Sequence, residues 1–292
     1  MAKHRQSFFS KLTPFIGRLP FPILYLLAYP IYLVGYYFVE KKRNVIFSNM
    51  KNSFPERSDL ELHALAKLNF KRLVFMMMES LKTLYMSEAQ INQRITLKNP
   101  ELLEEFAQQN QSIIMLAAHH CNWEWMLAAC SLQLSFPIDA VYKPLHDHVM
   151  DEQMKKSRSR FGARPIENKD ALLEIMKRRK VLRGFAMVAD QSPMRKEEKY
   201  WTTFLNQDSS FSVGTQKISQ LTKYPVIFVS MRRLSLGHYE VVFEVLAEAP
   251  YQKEGYAVTE KYARKLEGMI LEHPEDWMWS NRKWKRKRTV YD

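Results

Sequence analysis

The chain has 292 residues, 46% of them hydrophobic, which is ample for one large folded domain and excludes a disordered protein. A formal net charge of +13 at pH 7 calls for an anionic partner, either nucleic acid or a negatively charged lipid surface. Two cysteines, Cys121 and Cys130, indicate no disulfide framework and point to a reducing compartment, and eight glycines leave little material for a phosphate-binding loop.

The first predicted element is the uncharged stretch from Phe21 to Val39, nearly long enough to cross ~30 Å of hydrocarbon. It runs directly into Glu40, Lys41, Lys42 and Arg43, with no small-residue cleavage site, so it reads as a retained membrane anchor rather than a signal peptide. Pro22 and Pro30 disfavour a straight span, and a surface-lying or re-entrant helix fits as well. Lys3, Arg5, Lys11 and Arg18 precede it, so both flanks are basic and charge does not set an orientation.

Between Ser58 and about Met86, apolar residues recur at helical spacing, predicting one long amphipathic helix or two. Asn99-Pro100-Glu101 reads as the start of another helix, with Asn99 as its cap. Short apolar runs at Ile113–Ala118, Ile138–Tyr142, Gly184–Ala189, Val226–Met231 and Tyr239–Leu246 predict strands. Between them, Trp123–Leu134, Asp147–Phe161, Ala171–Lys180 with Asn168 as cap, and Ser212–Lys223 predict helices, and Thr259–Glu272 is a final one. Strands alternating with helices imply an α/β fold, a mixed and largely parallel sheet flanked by helices, with the N-terminal anchor helix outside it.

The segment IIMLAAHHCNWEW, from Ile113 to Trp125, carries the chemistry. It places His119 and Glu124 just beyond an apolar strand, where open α/β sheets bind ligands. With a helix starting near Asn122, the Glu124 carboxylate comes within reach of His119, and such a pair makes a general base able to activate an alcohol. Other readings of the same residues are a structural histidine beside a first-turn glutamate, a metal site using His119, His120, Cys121 and Glu124, and a Cys121 nucleophile beside His120.

The run HHCNWEW resembles the His-x4-Asp/Glu signature of lysophospholipid-type acyltransferases, and more narrowly the form found in bacterial lipid A late acyltransferases. Four further segments are similar to that family in the same order. They are Asn49–Glu56 after the anchor, Tyr142–His146 with Arg158–Gly162, Val188–Pro193, and the tryptophan-rich His273–Lys285. Cys121 stands where the family has glycine, and Asn281 where its terminal motif often has histidine.

The resemblance implies an O-acyltransferase that moves a fatty acyl chain from acyl carrier protein to a hydroxyl of a lipid A precursor. It assigns His119 as base, Glu124 as its carboxylate partner, and Arg158 and Asp190 as substrate-binding residues, with no metal and no cofactor. Residues 1–45 would form the anchor and its flanks, and residues 46–292 the acyltransferase domain on the cytoplasmic face of a bacterial inner membrane. Other lipid acceptors (phospholipid, ornithine lipid or glycolipid) fit the same motif; a non-catalytic membrane-surface binding protein that uses the basic tail is the alternative from another class, and the intact His119 and Glu124 argue against it. The basic tail Asn281–Arg288 suits phosphates of either nucleic acid or lipid, and beside an apolar anchor the anionic membrane surface is the better partner.

Overall fold

In the computed structural model, residues 14–288 are described except His146 and Lys196. The basic residues Lys3, Arg5 and Lys11, and His146 of the Tyr142–His146 segment, lie outside the described residues. A seven-stranded sheet organises the fold, in the order β1-β9-β8-β2-β5-β3-β4. Its strands are β1 (Ile95–Leu97), β2 (Ile113–Ala117), β3 (Ile138–Tyr142), β4 (Arg164–Glu167), β5 (Gly184–Val188), β8 (Val226–Ser235) and β9 (His238–Ala247). The β8–β9 hairpin is antiparallel and every other pairing is parallel, as the mixed, largely parallel expectation required. β2 is buried at all five positions, which is why it reads as a continuous apolar run rather than an alternating one.

Several elements escape the periodicity argument. β1 and β4 are three and four residues long, too short to show a period. The separate hairpin of β6 (Lys199–Phe204) and β7 (Gln207–Ser212) is polar for much of its length. The helix Glu40–Ser53 buries only Ile46, Met50 and Ser53, a stripe too narrow to stand out.

Labelled in chain order, the helices that matter for the site begin with α1 (Phe21–Phe38), α2 (Glu40–Ser53) and α3 (Asp59–Lys82). Ser58 caps α3 through a reciprocal capping box with Glu61, which explains the sharp start of its apolar periodicity. The apolar α1 does not stand free of the fold. Phe21, Leu24, Ala28, Tyr32 and Tyr36 form its buried stripe, with Tyr25 stacked on Phe75 and Tyr36 edge-on to Phe70. Gly35 permits this approach, since a Cβ there would lie 3.0 Å from the Phe70 ring. Its other face leaves Leu26, Ile31, Val34 and Phe38 exposed.

Two expected caps are corrected. Asn99 does not cap its helix (α4, Glu101–Gln108); its amide bridges the backbone of Phe243 on β9, donating to the carbonyl and accepting from the N–H. Asn168 opens a 3-10 turn, and neither that turn nor the helix Ala171–Lys177 has a side-chain cap. Asn99 suits a cap by type, yet its amide is taken by the neighbouring strand instead.

Candidate active site

β2 and β5 are neighbours in parallel register, with Ala117 beside Val188 at their carboxyl ends. His119 and Asp190 each follow two residues later, so the chains leave the sheet side by side and bring the two side chains together. His119 Nδ1 lies 2.7 Å from Asp190 Oδ1, and the second carboxylate oxygen accepts from Trp277 Nε1 at 3.0 Å. Asp190 is 2% exposed, whereas the His119 side chain keeps 16% of its surface accessible, so the dyad is open on the imidazole side.

The loop between β2 and α5 (Trp123–Gln133) is fixed from three directions. The carboxyl-terminal segment pairs with it, His120 bridging Trp277, Met278 N–H donating to the His119 carbonyl, and Cys121 N–H donating to the Asp276 carbonyl. Asn122 caps α5 by accepting from Trp125 N–H, and its own amide donates to Glu79. Glu79 is fully buried on α3 and also accepts from Tyr25 and Tyr239 hydroxyls, which ties the cap to α1 and β9. A buried carboxylate with three donors is a rigid platform, because losing any one leaves charge unpaired.

Glu124, in the first turn of α5, does not make the expected bond to His119. Its carboxylate is taken by Arg158, with Nε and Nη2 at 3.0 and 2.7 Å, and by Trp123 Nε1 at 3.1 Å. Arg158 comes from α6 (His148–Ser159), which follows β3 on the same side of the sheet's carboxyl edge. The carboxylate partner of His119 is therefore Asp190, and Glu124 is the partner of Arg158. The sequence names all four residues but pairs them differently, because the 2.7 Å contact depends on which strand lies beside β2. Residues that sequence reasoning missed are Trp277, which orients Asp190, Trp123, whose ring meets the imidazole edge-on at 4.9 Å, and Gln191, whose amide nitrogen lies 3.4 Å from both imidazole nitrogens. The signals for them were the family-like segments that hold them, the tryptophan-rich terminus for Trp277, HHCNWEW for Trp123 and Val188–Pro193 for Gln191, and none of these showed what each side chain touches.

The electrostatics follow from this pairing. Burial by itself would lower the His119 pKa, but the charge and hydrogen bond of Asp190, with Glu124 nearby, outweigh it and raise the value above the usual histidine range. Burial would likewise raise Asp190, yet His119 and the Trp277 hydrogen bond hold the carboxyl below its usual range. Such a pair favours imidazolium and carboxylate together, the state that follows proton uptake by His119.

The other readings of this segment fare differently. The His120 ring faces two backbone carbonyls, Met231 and His273, at 3.2 and 3.3 Å, and burial lowers its pKa. Cys121 is buried, and that burial pushes its thiol well above the usual range, away from the thiolate a nucleophile requires. Its φ of 51° explains why glycine suits the position. The four ligand-type side chains thus turn to different partners, and among the described residues no three His, Cys, Asp or Glu converge on a point that could hold a metal.

The basic tail also behaves differently from a solvated end. Lys283 is buried, donates to the Ser210 carbonyl at 2.9 Å and sits 3.5 Å from the Phe211 ring centroid, and burial pulls its pKa down to about 7. Trp284 packs against Trp277 and Trp279.

A family model described as bacterial lipid A biosynthesis acyltransferase matches residues 10–286. The chain is also similar to the lipid A biosynthesis lauroyltransferase of Escherichia coli (strain K12), at 20% identity over 275 residues, spanning 93% of this chain and 88% of that one. The match runs through the apolar helix α1, the His119 loop and the tryptophan-rich terminus alike, and the chain belongs to the bacterial lipid A biosynthesis acyltransferase family.

Proposed function

We propose that this acyltransferase moves a fatty acyl chain from an acyl carrier protein thioester to a hydroxyl of a lipid A precursor, at the cytoplasmic face of a bacterial inner membrane. The observation that carries this reading is the His119–Asp190 pair at the carboxyl ends of two adjacent parallel strands. Asp190 accepts the Nδ1 proton and leaves Nε2 as the free base. Nε2 takes the hydroxyl proton as the oxygen attacks the thioester carbonyl; the tetrahedral oxyanion collapses, the carbon–sulfur bond breaks, and the imidazolium returns its proton to the leaving thiolate. No enzyme-bound acyl group forms. Glu124 acts by holding Arg158 at the edge of the site, where the guanidinium contributes positive charge for an anionic substrate group.

The basic surface suits an acidic carrier protein, and the exposed face of α1 suits lipid. The test uses purified full-length chain with labelled acyl donor, first without acceptor and then with a lipid A precursor. Product should form only in the second mixture, with no stoichiometric adduct in the first. A covalent acyl group on Cys121 that chases into product would falsify direct transfer.

A further inference from the structure

α2 and the carboxyl-terminal tail enclose a groove of about 840 Å3 that none of the His119, Glu124, Arg158 or Asp190 side chains lines. One wall is the α2 face carrying Lys41, Asn44 and Ser48, and the other is the tail with Arg282, Lys285 and Lys287. Asn49 builds the groove by donating to the carbonyls of Trp279 and Asn281, both at 2.8 Å, which clamps tail to helix. The tail then alternates. Lys283 turns inward and is buried, while Arg282, Lys285 and Lys287 stay exposed on the groove side. Among the described residues, none of these three nor Lys41 has a carboxylate partner, and the one acidic lining residue, Glu40, accepts from Asn44 at 3.5 Å.

We infer that this groove binds the phosphate headgroup of an anionic membrane lipid. Four uncompensated cations and two amide or hydroxyl side chains in a concave site offer a phosphate several charge-assisted hydrogen bonds at once. The volume falls within the range of small-molecule sites. Its position selects a lipid over a free ion: the lining face of α2 begins at Glu40, two residues after α1 ends at Phe38, which is 81% exposed. A lipid whose chains lie along the exposed face of α1 therefore brings its headgroup to the mouth of the groove.

The test is calorimetric titration of the full chain in neutral detergent with dihexanoyl phosphatidic acid, with inorganic phosphate and dihexanoyl phosphatidylcholine in parallel. Saturable one-to-one binding of the phosphatidic acid is expected, weakened at least tenfold by Arg282→Ala/Lys285→Ala/Lys287→Ala, since each lost contact is a hydrogen bond to a charged group. Ser48→Trp fills the groove without changing charge and should weaken binding as much. Lys180→Ala/Lys253→Ala/Lys261→Ala removes the same charge from exposed positions that do not line the groove and should leave affinity within twofold. An equal loss in that control, or unchanged binding in Ser48→Trp, overturns the groove in favour of a diffuse field. Inorganic phosphate binding as tightly as the lipid overturns the headgroup assignment. Because no turnover is measured, the outcome stands apart from the acyl-transfer reading.

Discussion

Neutral His119 holds its single ring proton on Nδ1, because Asp190 Oδ1 lies 2.7 Å away with its other oxygen fixed by Trp277. The raised His119 pKa means that the free enzyme carries imidazolium at low pH and becomes a competent base only as pH rises through that value. The acidic limb of kcat/KM should therefore lie above the ordinary histidine range, and Asp190→Asn should move it to lower pH while reducing the rate. A limb that stays in place in Asp190→Asn, measured over the full pH profile, would detach Asp190 from the titrating base. His119→Ala should lower turnover by ~10²–10⁴-fold, the usual worth of general-base catalysis. Cys121 supplies a contrasting case. A left-handed backbone costs an L-residue roughly 1–2 kcal/mol, comparable to the worth of burying one small side chain, so Cys121→Gly should leave Tm nearly unchanged and activity largely intact. Cys121→Val, β-branched at a positive φ, should lower Tm by several degrees. His119, Glu124, Arg158 and Asp190 were all legible in the sequence. Their pairing was not, since a separation of 71 residues between His119 and Asp190 is closed only by strand order.

At the scale of elements, strands and helices with strong periodicity or length were legible, and those decided by tertiary neighbours were not. β3 spans Ile138–Tyr142 as expected, while β1 and β4 exist because β9 and β3 offer edges to pair with. The apolar run of α1 identified a helix but could not show that one stripe is committed to α3. Burying Phe21, Leu24, Ala28, Tyr32 and Tyr36 stabilises that packing by on the order of 10 kcal/mol, so α1 stays on the domain and turns its remaining face outward. Leu26→Glu with Val34→Glu, both exposed, should release the chain from the membrane fraction without lowering Tm, whereas Leu24→Glu, buried, should abolish folding. High salt should leave the parent chain in the membrane fraction, because screening acts on exposed charges and barely on apolar contact. Quantitative release by salt alone would contradict the role given to α1. Arg158→Lys belongs to the same scale, since it tests the link between α6 and α5. Lysine cannot reproduce the two-pronged bond to Glu124, so activity should fall while Tm shifts by only a few degrees.

Across the whole molecule, the sheet's carboxyl edge, the carboxyl-terminal Trp277–Trp284 packing and the N-terminal helices meet around one histidine. The sequence order of these parts suggested the family, and the register of β2 on β5 explains how His119 and Asp190 come together. The most direct measurement is mass spectrometry of lipid A from a host lacking this chain, complemented either with the parent chain or with His119→Ala at equal expression. The parent should restore one fatty acyl chain to lipid A and His119→Ala should not. Lipid A unchanged by loss of the chain, or restored equally by His119→Ala, would contradict the account.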